Sequence, residues 1–325
     1  MRIIKISAAQ FSLKPIKSFS EFEEQVISSL RQAVGSDFAV FPELFTFELL
    51  TTFPDAENFT TMDKQKTSEF TDQYLDLFSR LAKQNDQYII AGSHLKKEGI
   101  NYYNSCYLFG PDGTIFEHKK THIFPAEGEW DTAEGNTLEI LELEKAKVGI
   151  LICYEAEIPE CSRILALKGA EIIFCPSFTS SEAGFWRVRH SCQARCIENQ
   201  IYMVHCCTVG DLGILDLNGW GKTSILSPCD APWPSNGIIA EAEPNKEMVI
   251  KGEADLDELH INRETGAAIR ATSANKNTCP RSIGKFASKF RGSKKKEPIK
   301  NATSTVPIII WIISAGEVLR EYIFP

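Results

Sequence analysis

The chain has 325 residues, of which 43% are hydrophobic and 24% are charged, and its formal net charge at pH 7 is −8. This length allows one large domain or two small ones with a full hydrophobic core, and the composition is that of a globular protein. A net acidic chain without a basic stripe argues against nucleic acid as the main partner. The opening residues, MRIIKISAAQF, lack a long apolar core and predict a first strand instead of a signal peptide.

The ten cysteines are scattered through predicted strands and helices of a large domain. Because no export signal accompanies them, we interpret most of them as reduced, buried thiols in a cytoplasmic protein. Cys192 and Cys196 stand four residues apart on a predicted helix, and Cys206 and Cys207 are adjacent on a predicted strand. Neither pair has the spacing of a metal site, so we expect no metal and no cofactor.

The chain begins with alternating strands and helices. Residues 2–10 alternate in polarity as a strand does, and Ser20-x-x-Glu23 matches the capping box that begins a helix. A second apolar run, residues 38–41, ends at Pro-Glu and predicts a buried strand. The apolar face of the first helix is predicted to consist of Phe22, Val26, Leu30 and Val34.

The next segments continue this alternation and add a hairpin. Helical spacing of apolar residues predicts a helix over 67–85, and residues 87–94 predict the following strand. Segments 105–109 and 114–118 flank the turn sequence Gly-Pro-Asp-Gly, which predicts a β-hairpin.

Downstream, strands and helices alternate and then give way to strands alone. The predicted order is strand 147–152, helix 159–169, strand 171–177, helix 183–199 and strand 201–207. Segments 222–228, 237–243 and 247–256 predict an antiparallel finish. This mixture indicates a layered α/β domain with a mixed sheet or two sheets.

The sequence changes character near residue 285. We therefore predict a domain over 1–284 and a basic, polar linker from 285 that leads to an apolar run at 306–313. This run is too short to span a bilayer, which needs about 20 apolar residues. We expect it to dock on the domain, to add a strand at a sheet edge or to cross to a dimer partner. Attachment to a membrane surface together with Lys294–Lys296 is the alternative.

Three short stretches carry candidate catalytic residues. They are F-P-E-L-F with Glu43, H-K-K-T-H-I-F-P with Lys120, and G-I-L-I-C-Y-E with Cys153. Each candidate follows an apolar strand, and sites in α/β folds form at strand ends. Taken singly, each also fits an ordinary structural or surface role. Their combination is what favours chemistry.

These stretches resemble the nitrilase superfamily of carbon–nitrogen hydrolases, in the same order along the chain. The sequences FPAEGEW, IPECSR, GAEIIFCPS, QARCIENQ and TVGDLG extend the likeness over roughly residues 3–275. The resemblance implies an α/β fold, a four-layer α-β-β-α sandwich. It is greatest to a bacterial amidohydrolase branch that is often fused to an N-acetyltransferase. We expect no such fusion here, because the chain opens on the family's first strand.

The resemblance also implies the catalytic roles. Cys153 would attack a small amide and form a thioester, and Glu43 would act as general base. Lys120 and the backbone N–H of Tyr154 would stabilise the oxyanion. A helix that begins near Glu157 would favour the thiolate form of Cys153 if its N-terminus points at the sulfur.

Other residues of the site are assigned with alternatives. Family members often place a second glutamate after the lysine, and motif position favours Glu127 over Glu129. The candidates for the substrate pocket are Trp130, Phe178 and Trp186. We expect His122 to pack in the site wall and not to form a Cys–His protease dyad. The residues expected to form an internal ion pair and hydrogen bonds are Arg195, Glu198 and Asn199.

Several functions share these residues. A carbamoyl-amine (ureido) compound or a nitrile would use the same Glu-Lys-Cys triad, and a non-catalytic binding protein on the same fold is a different class. A membrane acyltransferase would need several spanning helices, and a glutaminase would need a synthetase partner. By the resemblance we expect a homodimer or larger homo-oligomer. The expected partner is a small amide; the acidic charge argues against nucleic acid, and membrane association is not expected because the apolar run is short.

Overall fold

The computed structural model describes residues 2–266 and the backbone of residues 313–314 and 317–318. The chain divides into two units, Met1–Asn275 and Lys276–Pro325. In the described part of the second unit, β15 (Ile313–Ser314) and β16 (Glu317–Val318) pair antiparallel. The predicted linker and all but the last residue of the apolar run at 306–313 lie outside the described residues, so the domain boundary stays a prediction.

The first unit contains the helices and strands on which the site is built. Its helices are α1 (Phe19–Gln32), α2 (Thr71–Asn85), α3 (Pro159–Lys168), α4 (Glu182–Asn199) and α5 (Leu256–Thr265). Its strands are β1 (Ile3–Leu13), β2 (Phe38–Val40), β3 (Tyr88–Glu98), β4 (Asn101–Phe109), β5 (Ile115–Lys119), β6 (Thr132–Ala133), β7 (Ile140–Glu142), β8 (Lys147–Ile150), β9 (Ile172–Phe178), β10 (Tyr202–Asp211), β11 (Asn218–Gly219), β12 (Ser224–Leu226), β13 (Ile238–Glu241) and β14 (Met248–Asp255).

Strand β1 belongs to two sheets. Its first eight residues pair antiparallel with β14, and its middle pairs parallel with β2. Its last three residues pair parallel with β10. The first sheet therefore runs β14-β1-β2-β3-β4-β5, and the second continues from the end of β1 through β10-β9-β8-β7. Of the three strands predicted as an antiparallel finish, β12 and β13 pair with each other. The third, β14, pairs antiparallel with β1 and not with β13.

The two sheets pack face to face. Ile4, Ile6 and Ala8 alternate along β1 toward the second sheet, and all three are buried. Across this interface the rings of Phe38 on β2 and Phe174 on β9 lie 5.2 Å apart between centroids. The core between the sheets is thus made of alternate side chains from both.

Helices cover the outer faces of both sheets. Phe22 and Val26 of α1 pack with Leu77 and Phe78 of α2 in the cluster that includes Phe41. On the other side, α3 and α4 pack on the second sheet through their buried residues, which include Cys161, Leu165, Val188, Cys192 and Cys196. The predicted α-β-β-α sandwich is therefore confirmed. No helix among residues 2–266 is long and apolar enough to cross a membrane.

The start of α1 differs from the prediction. Ser18, not Ser20, is the N-cap, and its hydroxyl accepts the N–H of Glu21 at 3.3 Å. The carboxylate of Glu21 in turn accepts the N–H of Lys17, so the cap lies two residues earlier. Because α1 ends at Gln32, Val34 lies beyond the helix and is 68% exposed.

Candidate active site

Glu43 is held in the core by the turn that follows β2. The carbonyl of Glu43 accepts the hydroxyl of Thr208 at 2.6 Å, and its side chain is only 3% exposed. Gly92 on β3 makes this turn possible, because a Cβ there would lie 2.0 Å from the carbonyl oxygen of Pro42. The sequence thus places a carboxylate where the two sheets meet.

Lys120 follows β5 and points at two carboxylates. Its Nζ lies 2.8 Å from Oε1 of Glu43 and also contacts Oε2 of Glu127. Asn104 on β4 donates from Nδ2 to both carboxylates, at 2.9 Å to Glu43 and 2.8 Å to Glu127. All four side chains are buried. One ammonium between two carboxylates leaves this cluster with a formal charge of −1.

Cys153 lies directly after β8, at the first residue of a 3₁₀ helix, Cys153–Glu157. Its φ of 47° is in the left-handed region, which is costly for a residue with a Cβ. Such strain is found at functional sites, where a sharp turn presents a nucleophile. The thiol donates to the carbonyl of Phe178 at 3.9 Å, and the N–H of Phe178 donates to Oε2 of Glu43 at 2.8 Å. The Phe178 backbone therefore contacts both Cys153 and Glu43.

A second buried carboxylate, Glu155, fixes the turn around Cys153. It accepts the N–H of Ile152 at 2.6 Å, and the N–H and hydroxyl of Thr121 at 2.8 and 2.6 Å. Nε2 of His118 lies 2.9 Å from Oε2 of Glu155, the oxygen that also accepts the N–H of Ile152. Thr121 directly follows Lys120. The hydrogen bonds of Glu155 therefore connect the loop that carries Lys120 to the turn that carries Cys153.

The charges of the site are shaped by burial. Burial raises the pKa of Glu43, and Lys120 opposes this while Glu127 adds to it. Burial alone would lower the pKa of Lys120, but the two carboxylates raise it, so this ammonium stays charged. Burial and the negative charge of Glu43 raise the pKa of the Cys153 thiol well above its usual range, although Lys120 opposes them.

The predicted effect of a helix on the thiolate form of Cys153 stays a prediction, and burial acts against that form. The helix α3 begins at Pro159, and only the short 3₁₀ helix starts at Cys153. Burial disfavours the thiolate, because a buried sulfur loses its hydration when charged. A neutral thiol next to a carboxylate of raised pKa suits proton transfer during attack, not before it.

A pocket of about 360 Å³ opens over these groups. Of the expected substrate residues, Trp130 and Phe178 line it, and so do Tyr154 and both candidate glutamates, Glu127 and Glu129. Only Glu127 is buried and contacts Lys120, whereas Glu129 is exposed. Tyr154 is the second residue of its 3₁₀ helix, where backbone N–H groups have no partner within the helix.

Trp186 does not line the pocket. Gly184, Arg187 and Val188 of α4 face it, and they are spaced three and four residues apart as one helical face requires. Trp186 points elsewhere, stacks on His190 and donates from Nε1 to Glu182. Its assignment to substrate binding is wrong.

His122 is exposed instead of packed in the site wall. Its Nδ1 lies 3.6 Å from Sγ of Cys161, not Cys153, and 3.0 Å from the hydroxyl of Thr121.

The structural role expected for Arg195 is present. It pairs with Glu198 at 2.8 Å and donates to the carbonyls of Ala156 and Glu157 at 3.0 and 3.1 Å. Asn199 donates back to the carbonyl of Arg195 at 3.2 Å. These contacts fix the end of the 3₁₀ helix that begins at Cys153.

Sequence reasoning missed Asn104 and Glu155. A signal for Asn104 existed, because it shares the inward face of β4 with Cys106 and Leu108, and a polar residue there is unusual. Glu155 stands in the quoted motif around Cys153, yet its partners come from another loop. No local pattern predicts them.

Comparison with known proteins gives the family. The profile of the carbon–nitrogen hydrolase family matches residues 7–260, so the chain belongs to that family.

Two relatives illustrate its similarities. The chain is 39% identical over 269 residues to the Bacillus subtilis protein described as "Probable hydrolase YhcX", covering 81% of this chain and 52% of that protein. It thus spans about half the length of that relative. It is 28% identical over 277 residues to the Xenopus laevis protein described as "Omega-amidase NIT2-A", covering 81% of this chain and 93% of the other.

Solved structures agree on the fold. Nit3 of Saccharomyces cerevisiae, described as a member of branch 10 of the nitrilase superfamily, has a TM-score of 0.67 at 22% identity. That likeness covers 80% of this chain and 93% of Nit3. An amidase from Nesterenkonia has a TM-score of 0.64 at 17% identity, with 79% and 92% covered.

Proposed function

We propose that this enzyme hydrolyses the amide of a small molecule through a thioester on Cys153, with Glu43 as base and Lys120 as the cation. The observation that carries this proposal is one pocket lined by a strained cysteine, a buried carboxylate of raised pKa and a buried ammonium. The relatives named as amidases support the amide as substrate.

In the first half of the reaction, Sγ of Cys153 attacks the amide carbon while Glu43 takes the thiol proton. The carbonyl oxygen becomes an oxyanion, which Nζ of Lys120 and the N–H of Tyr154 stabilise. When the intermediate collapses, the C–N bond breaks and Glu43 returns the proton to the leaving nitrogen. Ammonia or an amine departs and a thioester remains.

In the second half, water attacks the thioester carbon and gives its proton to Glu43. The same donors stabilise the second oxyanion. Collapse breaks the C–S bond, Glu43 reprotonates the sulfur and the carboxylic acid leaves. Glu127 holds Lys120 through its Oε2 contact and thereby positions the ammonium for both halves.

Carbamoyl amines and nitriles are the alternative substrates, because they would use the same three groups. An ammonia-release screen over amides, carbamoyl amines and nitriles separates them. A non-catalytic binding role would show no release from any of them.

The experiment that tests the mechanism is mass spectrometry of the enzyme mixed with its best amide. We expect an acyl adduct on Cys153 in the wild type and none in Cys153→Ala, with activity of that variant lower by several powers of ten. Cys192→Ala is the matched control, because Cys192 is also a buried thiol but does not line the pocket. Activity of Cys153→Ala within about tenfold of the wild type excludes the covalent route.

Oligomeric state and location belong to the same proposal. A homodimer is supported by the exposed apolar residues Ile164 and Leu167 on α3 and Ile197 on α4. A cytoplasmic location is supported by the cysteines of the described residues, which are all free. Light scattering of the wild type and Leu167→Glu tests the dimer, since a monomeric wild type would contradict it.

A further inference from the structure

A lysine that the proposed reaction does not use lines the catalytic pocket. Lys64 lies on the 3₁₀ helix Thr61–Phe70 and is only 8% exposed. Its Nζ lies 4.1 Å from the centroid of the Trp130 ring, as in a cation–π contact. Both side chains line the same pocket as Cys153, so a molecule that fills this pocket would contact the ammonium as well as the thiol.

The ammonium of Lys64 has no carboxylate partner within 4 Å among residues 2–266. Its neighbour in sequence, Asp63, is already engaged by the N–H of Thr60 at 2.7 Å and by Lys66 at 3.3 Å. Glu129 and Asp216 act on it only at longer range, and both are exposed to water. Burial of an unpaired charge is costly, and the contact with Trp130 offsets only part of that cost.

The other cations of the pocket are paired. Lys120 is shared by Glu43 and Glu127, and Arg187, which is 55% exposed, lies 3.7 Å from Glu157. Within the described lining, Lys64 is therefore the buried charge that lacks a counterion. A bound anion would supply it.

We propose that Lys64, backed by Trp130, is an anion subsite that binds a carboxylate of the substrate. The substrate class is then a small acid amide, with its carboxylate on Lys64 and its amide carbon at Cys153. A singly charged carboxylate fits better than a doubly charged phosphate, because the acidic residues Glu129 and Asp216 also line the pocket. The volume of about 360 Å³ suits a small molecule. This inference rests on the proposed function for the position of the amide.

The first test measures binding and does not need turnover. Calorimetry on Cys153→Ala compares succinamate, which has a carboxylate and an amide, with butanamide, which has only the amide. We expect succinamate to bind at least about tenfold more tightly, the effect of one charge-assisted contact. Adding Lys64→Met should abolish this difference, and Lys64→Arg should restore part of it. Lys66→Met is the matched control, because it removes a charge from the same helix outside the pocket.

The second test measures kcat/KM for both amides. Lys64→Met should lower the value for succinamate by about 10- to 100-fold, mainly through KM, and change that for butanamide by less than about threefold. Equal loss on both amides, or equal binding of both to Cys153→Ala, overturns the proposal. β-Alaninamide carries an ammonium in place of the carboxylate of succinamate. If it binds more tightly than succinamate, the acidic residues of the pocket select a cation and the proposal is overturned. A wild type that hydrolyses no amide contradicts the proposed function alone, because the binding test still decides the role of Lys64.

Discussion

Two buried glutamates, Glu43 and Glu155, lie near Cys153, and their environments shift their pKa values in opposite directions. Glu43 and Glu155 are both almost completely excluded from water. Burial raises the pKa of Glu43 despite its contact with Lys120. Burial acts the same way on Glu155, but His118, Thr121 and the N–H of Ile152 outweigh it and lower the pKa of that carboxyl.

The difference lies in the partners. Glu43 shares its cation with a second carboxylate, Glu127, so part of the stabilisation is lost to repulsion between like charges. Glu155 has no such competitor among its hydrogen-bond partners and accepts from two loops. A carboxylate of raised pKa suits proton exchange, whereas one of lowered pKa suits a fixed anchor. Similar burial therefore supports two different roles.

Removing the charge of Glu43 should have the largest effect. Glu43→Gln keeps the hydrogen bond from Phe178 but cannot take the thiol proton, so kcat should fall by roughly 10²- to 10⁴-fold. Stopped-flow ammonia release and mass spectrometry measure it, and little acyl-enzyme should accumulate. An adduct formed at the wild-type rate would remove Glu43 from the acylation step.

The next largest effect is expected at Glu127, the carboxylate that shares Lys120 with Glu43. Glu127→Gln loses the charged contact with Lys120 and should lower kcat by roughly 10- to 100-fold, since a misplaced donor costs about that much. Glu129→Gln is the matched control on the same loop, exposed and without that contact, and should change kcat by less than about threefold. A reversed ranking would move the role to Glu129.

Glu155→Gln should act through position and not through proton transfer. Breaking a buried hydrogen-bonded charge typically costs about 3–5 kcal/mol of stability, and we expect roughly a tenfold loss of kcat in protein that remains folded. Thr121→Ser, which keeps the hydroxyl that Glu155 accepts, should retain activity within about threefold. If Glu155→Gln instead shifted the acid limb of the pH profile as Glu43 variants do, Glu155 would be part of the proton transfer.

The sequence revealed one of these glutamates and not the other, for a physical reason. Glu43 lies at the end of an apolar strand within a family motif, so chain position alone identifies it. The anchor role of Glu155 depends on Thr121 and His118, which are more than thirty residues away and come close only when the sheets pack. Trp186 shows the opposite limit, since the helix that carries it was predicted but the face on which it lies was not.

The α-β-β-α sandwich could be predicted because the motifs resembled those of a family, whereas strand and helix periodicity alone indicated only a layered α/β domain. The cap of α1 could not be placed, since Ser18 and Ser20 both precede acidic residues with the same spacing. The resting state of Cys153 was also out of reach, because its raised pKa depends on burial between elements distant in the chain.

A pH titration sharpens the contrast between the two glutamates. The raised pKa of Glu43 means that the base is protonated, and activity lost, as pH falls toward a midpoint above its ordinary value of 4.5. The lowered pKa of Glu155 gives stability that is present above the unfolded pKa and is lost only as pH falls through the folded value. Activity should therefore disappear reversibly at a higher pH than the one at which circular dichroism reports Glu155-linked unfolding. Loss of both at the same pH would contradict this order.

The smallest effect is expected from the C-terminal segment. Every side chain in the two glutamate clusters lies between residues 43 and 208, and the family match ends at residue 260. Helix α5 belongs to the same unit, where the N–H of Leu256 donates to the carbonyl of Arg2 and Arg263 to that of Gln200. A protein truncated after residue 285 retains all of these contacts, so kcat should stay within about twofold and the acid limb should not move. Truncation after residue 255 is the matched comparison, because it removes α5 and should destabilise the fold in thermal unfolding. If the protein ending at residue 285 folds with the wild-type melting temperature but loses activity, the segment 286–325 contributes to the site and the domain boundary lies further along the chain.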